Sequence, residues 1–184
     1  MNADKSSATI LFSVIVPIVT IIVAVSFVAV SLYSAYVLIN NIKTISLNNT
    51  SIVRVLNNSI AILEVTNGNA IVNNTITNKT ILLHSGVYII NTTGTVHAYL
   101  ISNISSLHPY IMLLSNPFAY LVLVEIIIAL VLGGIGQYLY GKYGKFAFLL
   151  SMSLAVTCMA GGALIMALFL PYNVVHIASI LAYN

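Results

Sequence analysis

"ILFSVIVPIVTIIVAVSFVAVSLYSAYVLI", residues 10 to 39, is a run of thirty residues without one Asp, Glu, Lys, Arg or His. A helix crosses the hydrocarbon core of a bilayer with about 20 residues at roughly 1.5 Å rise each, so this run is long enough with residues to spare. A cleaved secretory signal has an apolar core of roughly 7 to 15 residues, half this length. The segment therefore reads as a retained anchor. Its excess length requires tilt, a bend or projection beyond the lipid. Pro17 is the predicted place for a bend, because it removes a backbone donor and crowds the preceding turn. Tyr33 and Tyr36 sit one turn apart near the far end, as an interfacial aromatic pair would.

Two further apolar runs, Pro117 to Tyr140 and Phe146 to Leu170, satisfy the same length criterion. Composition agrees: of 184 residues, 60% are hydrophobic and 5% are charged, too few charges for the surface of a soluble domain. The formal net charge of +3 comes from six basic and three acidic residues, too sparse for a nucleic-acid-binding stripe. A single cysteine excludes an intramolecular disulfide framework. Lys5 precedes the first span, and Lys142 with Lys145 lies in the "GKYGK" turn between the second and third. The positive-inside rule puts these on the cytoplasmic side of a plasma membrane. The amino terminus is then cytoplasmic, and residues 41–110 and the tail "YNVVHIASILAYN" are extracytoplasmic.

The segment between the first two spans has a different composition. Residues 41 to 107 hold 12 Asn and 16 Ser or Thr among 67 residues. Random order would yield roughly three Asn-x-Ser/Thr acceptor sites, whereas there are seven, at Asn48, Asn49, Asn57, Asn73, Asn78, Asn91 and Asn103. Asn48 and Asn49 overlap and are not both modified. The excess favours N-linked glycans on an exterior face, against the plainer reading that Asn and Thr decorate turns and strand edges. "SIVRVL" and "IAILEV" are rich in β-branched residues, and Asn67-Gly68 is a strong hairpin signal between "IAILEVT" and "NAIV". Ser85-Gly86 and Thr93-Gly94 mark further reversals. Six or seven short strands at close spacing suggest a small antiparallel meander or sandwich.

Only Lys43, Arg54, Glu64 and Lys79 are formally charged in this segment. Carboxylates lose their charge near pH 4 and below, whereas amides, hydroxyls and sugars keep their polarity. Such a surface suits a hot, acidic exterior, as around a thermoacidophilic archaeon.

Residues that could carry chemistry are few. Glu125 lies eight residues into the second span, roughly 12 Å along the helix at 1.5 Å per residue. It is the sole acid or base within any span, so it marks a proton path, a quinone contact, an ion site or a polar contact with a neighbouring subunit. His84, His97 and His108 lack metal-motif spacing, and His176 falls in the tail. Cys158 reads as a small core residue rather than a nucleophile. "GGIGQYLYGKYG" lacks the Lys-Ser/Thr ending of a phosphate loop and follows a span rather than a strand. Its glycines suit close helix packing and a tight turn. Ala129 with Gly133, and Ser153 with Thr157 and Gly161, form small-residue faces that should touch a helix. The first 107 residues look somewhat like an archaeal pilin, with a long apolar helix leading into a Thr/Asn-rich β domain. Two further spans and the lack of a leader-peptidase site after Lys5 depart from that pattern, and the pilin reading is rejected.

The sequence thus predicts a membrane α + β chain: three transmembrane helices with a small antiparallel β-rich extracytoplasmic domain inserted between the first and second. The expected divisions are an anchor at 1–40, a glycosylated β domain at 41–110, and a helical hairpin with a short outer tail at 111–184. No catalytic, cofactor-binding or metal-ligating residue is predicted, only glycans and lipid contacts. The expected partners are other membrane-protein subunits in a hetero-oligomer. The expected role is a non-catalytic accessory or assembly subunit of a larger archaeal membrane complex, with a respiratory terminal (quinol) oxidase favoured. The alternative is a structural envelope glycoprotein of an archaeal virus or cell surface.

Overall fold

The computed structural model describes residues 3–141 and 144–183. Lys142, one of the lysines behind the orientation argument, lies outside the described residues. Helix α1 (Ala3–Asn40) leads into eight strands: β1 (Ile42–Leu47), β2 (Thr50–Val55), β3 (Ser59–Val65), β4 (Ala70–Val72), β5 (Thr75–Thr77), β6 (Ile81–Leu83), β7 (Gly86–Thr92) and β8 (Val96–Ser102). Four helices follow: α2 (Ile104–Ser115), α3 (Pro117–Tyr140), α4 (Gly144–Phe169) and α5 (Tyr172–Ala182). Three of the five helices are long and apolar enough to cross a membrane, over Ser13–Asn40, Pro117–Tyr138 and Phe148–Phe169. The chain divides into two compact units. One comprises Met1–Ala35 with Leu113–Val175, the other Tyr36–Met112 with His176–Asn184.

In the helical unit, α1 runs through Pro17 as one continuous helix. The start of α3 follows from Asn116-Pro117: the Asn116 side chain accepts a hydrogen bond from the Ala119 N–H at 3.4 Å, and proline at the first helical position has no N–H to leave unsatisfied. Its end is marked by Gly141 at φ +49°, a left-handed conformation that glycine adopts without a Cβ clash. Each long helix buries one stripe at helical spacing: Val16, Thr20, Ala24 and Val28 on α1, Leu121, Glu125 and Ala129 on α3, and Ser151, Ala155 and Met166 on α4. The Thr20 hydroxyl in the α1 stripe is satisfied locally, with Oγ1 donating to the Val16 carbonyl at 2.8 Å. Small residues set the approach of the helices. A Cβ on Gly162 would lie 2.9 Å from Leu121 Cδ2 and 3.5 Å from Val28 Cγ2, so the three helices meet at that level.

The second unit holds two antiparallel sheets in the order β1-β8-β3-β6 and β2-β7-β4-β5. Strands pair as β1 with β8, β2 with β7, β3 with β6 and β4 with β5, so the eight strands form one long hairpin whose tip is the β4–β5 turn. Additional pairs β3–β8 and β4–β7 close the wrapped hairpin into two sheets. That arrangement is the jelly roll. Strict alternation builds its core: Leu47, Ala61, Leu63, Leu83, Val96 and Ala98 from one sheet meet Val53, Val55, Ala70, Val72 and Ile90 from the other.

The sandwich is therefore right in kind, but the expected Asn67-Gly68 hairpin is not formed. Strands β3 and β4 lie in different sheets, as do β6 and β7 and also β7 and β8. A turn signal specifies that the chain reverses, not which strand it pairs with afterwards. Gly68 does take φ +85°, but at a corner between sheets, where Thr66 and Asn67 donate backbone hydrogen bonds to the Thr95 carbonyl and Thr93 donates to that of Asn69. The two corners run so close that a Cβ on Gly94 would collide with the Asn67 carbonyl oxygen. The tail after Pro171, expected as a short outer segment, forms the helix α5.

Candidate functional site

Glu125 is fully buried at 0% exposure, and neither carboxyl oxygen has a hydrogen-bond partner. Helices α3 and α4 are antiparallel, with Leu121 against Gly162, so one turn further along Glu125 stands level with Cys158. Ala129 and Ala155 are buried on the facing stripes of the same two helices. An acidic side chain at membrane depth costs several kcal/mol on insertion scales, at about 2.5 to 3.5, and is normally paired or placed beside water. Among the described residues no basic side chain lies in a span to pair with it. Cys158 is half-buried and lines an apolar groove of about 390 Å³ with Ala24, Val28, Gly161, Gly162 and Ile165. The groove runs along α1 and α4 on the surface of the helical unit.

The predicted packing residues divide. Ala129 and Gly133 lie on the buried face of α3, with Phe148 of α4 against Gly133. Ser153, Thr157 and Gly161 are exposed, with Thr157 Oγ1 donating to the Ser153 carbonyl at 2.9 Å and Gly161 on the wall of the groove beside α1. The α4 face that meets α3 is instead the one carrying Ser151, Ala155 and Gly162.

All seven acceptor asparagines are exposed. Six occupy connections between elements, and three of those, Asn49, Asn73 and Asn103, adopt positive φ of 56°, 47° and 56°. Asparagine tolerates that region better than other residues with a Cβ, so turn chemistry alone gives these three a reason to be there. Asn73 also accepts the Ile89 N–H at 2.9 Å. Asn91 is different, because it lies inside β7.

One cluster escaped the sequence. On the outer face of the β1-β8-β3-β6 sheet, strand register sets Ser46, His97 and Glu64 in one row across three strands. Ser46 Oγ and His97 Nδ1 are 3.3 Å apart. A Ser-His-acid triad needs the acid on the ring nitrogen opposite the serine. Here the Glu64 carboxylate instead accepts from the Tyr99 hydroxyl, and burial together with that contact pushes the Tyr99 phenol above its usual range. The row is a hydrogen-bonded cross-strand patch. Its members are 51 residues apart in the case of Ser46 and His97, and nothing in either strand's alternation announces the pairing.

Among the described residues no group of three or more His, Cys, Asp or Glu is arranged to hold a metal ion. His84 and His108 are exposed and His176 is half-buried, each on a different element or connection. No protein-family model, no curated protein and no solved structure matches this chain.

Proposed function

We propose that the chain is a non-catalytic accessory subunit of a larger membrane complex, with an archaeal respiratory terminal (quinol) oxidase as the favoured assembly. The observation that carries this reading is Glu125, a buried acid in the second long helix whose carboxyl oxygens have no hydrogen-bond partner. Because the carboxyl is sealed from the surface of this chain, a donor from a neighbouring subunit reaches it only where the helices part on assembly, and that step converts a costly group into an assembly contact. The exposed small-residue ridge Ser153, Thr157 and Gly161 supplies a second surface on which another helix can pack closely. In this reading the sheet unit faces the exterior and carries N-linked glycans, supported by seven exposed acceptor sites within one segment.

A second reading, a structural envelope glycoprotein of an archaeal virus or cell surface, is favoured by the strand order, since jelly rolls build many viral shells. Architecture alone does not assign a role. Blue-native electrophoresis of gently solubilised native membranes separates the two. Co-migration with larger subunits, haem absorbance and a fixed stoichiometry support the accessory subunit. A homopolymer without haem rejects it in favour of the envelope protein.

A further inference from the structure

The two outer faces of the jelly roll are treated differently. On the β1-β8-β3-β6 sheet the outward-pointing Ile62 and Ile101 are 1% and 0% exposed, so protein covers them. On the β2-β7-β4-β5 sheet the outward-pointing Ile52, Ile76, Val87 and Ile89 are 72%, 69%, 58% and 52% exposed. Register places Ile52 beside Ile89 and, one row along, Ile71 between Asn91 and Ile76. Arg54 beside Val87 and Thr50 beside Asn91 are the polar members of this face, and a cluster of exposed aliphatic side chains between them is rarely left bare in water.

Asn91 stands within that face. It pairs with Thr50 on one side and Ile71 on the other, and points outward two residues from Ile89. Asparagine is disfavoured in strands, and Asn91 has neither the positive φ of Asn49, Asn73 and Asn103 nor a side-chain hydrogen bond among the described residues. It is the one acceptor asparagine inside a strand. Neither turn geometry nor packing accounts for it, whereas Asn91-Thr92-Thr93 is an acceptor triplet whose amide projects from the sheet face between Thr50 and Ile71, one row from Ile52 and Ile89.

We infer that an N-linked glycan on Asn91 is the cover of this sheet face, screening Ile52, Ile71 and Ile89 from water. The inference rests on the glycoprotein reading above and goes beyond it by assigning one site a structural task. A sugar there is bulky and amphipathic, so it shields aliphatic side chains while presenting hydroxyls to solvent. It also bars the face from pairing with a second copy of the chain.

The test uses the full chain purified from its native membranes. Glycopeptide mass spectrometry reads occupancy at each site, and hydroxyl-radical footprinting reads the exposure of individual side chains. Asn91→Gln is expected to raise oxidation of Ile52 and Ile89 by about twofold or more, while Asn57→Gln, off the face, leaves both unchanged. Sugar on other sites with Asn91 bare overturns the cover and spares the glycoprotein reading. An occupied Asn91 with no rise in oxidation after Asn91→Gln also overturns it. So does protection of Ile52 and Ile89 that depends on protein concentration, which identifies a copy-to-copy interface. Absence of sugar from all seven sites overturns the glycoprotein reading itself.

Discussion

Leu168 on α4 and Ile90 on β7 are both large aliphatic side chains, yet the first is 69% exposed and the second 0%. The helical unit is apolar outside along its long spans and carries the one acid within those spans, Glu125, inside. The sheet unit hides aliphatics between two layers and presents amides and hydroxyls, apart from the outer face around Asn91. Two solvents explain the contrast. Lipid rewards outward Leu, Ile and Val on helices that satisfy their own backbone groups, whereas water rewards alternation along strands whose partners satisfy each other. Burial thus identifies the core of the sandwich but not what matters in the helical unit, where the informative residues are the polar and small ones.

The strongest way to break this comparison is Ile90→Ala, which is expected to cost the sandwich about 2 to 5 kcal/mol, read as a lowered melting temperature or faster proteolysis of residues 41–102. Gly94→Ala should cost about 1 to 3 kcal/mol, because the added methyl forces apart the two corners at Asn67 and Gly94. Retention of full stability would show that the corners are not locked together.

Glu125→Leu reverses the usual direction. The isolated chain in lipid should be as stable as before or more stable by about 1 kcal/mol, while its recovery in the native complex falls. Destabilisation of the isolated chain would mean that Glu125 has a partner within it.

Tyr99→Phe should remove the hydrogen bond to Glu64 and cost about 0.5 to 1 kcal/mol, at the low end because the pair is partly exposed. Burial, then Glu64, raises the Tyr99 phenol above its ordinary value near 10, so the folded chain holds that proton more tightly than the unfolded one. The associated stability is complete below about pH 10 and is lost as pH rises through the raised value. The alkaline loss should shrink in Tyr99→Phe, as seen by chemical denaturation from pH 8 to 12. The smallest effect belongs to Leu168→Ala, within about 0.5 kcal/mol in nanodiscs, since one lipid-facing side chain replaces another of similar polarity. A cost comparable to that of Ile90→Ala would remove the contrast between the two units.

The three long helices were readable directly from residues 10–39, 117–140 and 146–170, because a span is a property of one contiguous run and its length. Strand content was readable for the same reason, through β-branched alternation in "SIVRVL" and "IAILEV". So was the isolation of Glu125, since no basic residue shares its spans. The jelly roll was not readable. Asn67-Gly68 looks the same in a hairpin as in a corner between sheets, and pairing β1 with β8 or β3 with β6 depends on contacts across the whole segment. The Ser46, His97 and Glu64 row, the exposure of Ser153, Thr157 and Gly161, and the bare face around Asn91 belong to that second class. Local spacing specifies which side chains share a face, but what lies opposite that face is settled by the packing of distant parts of the chain.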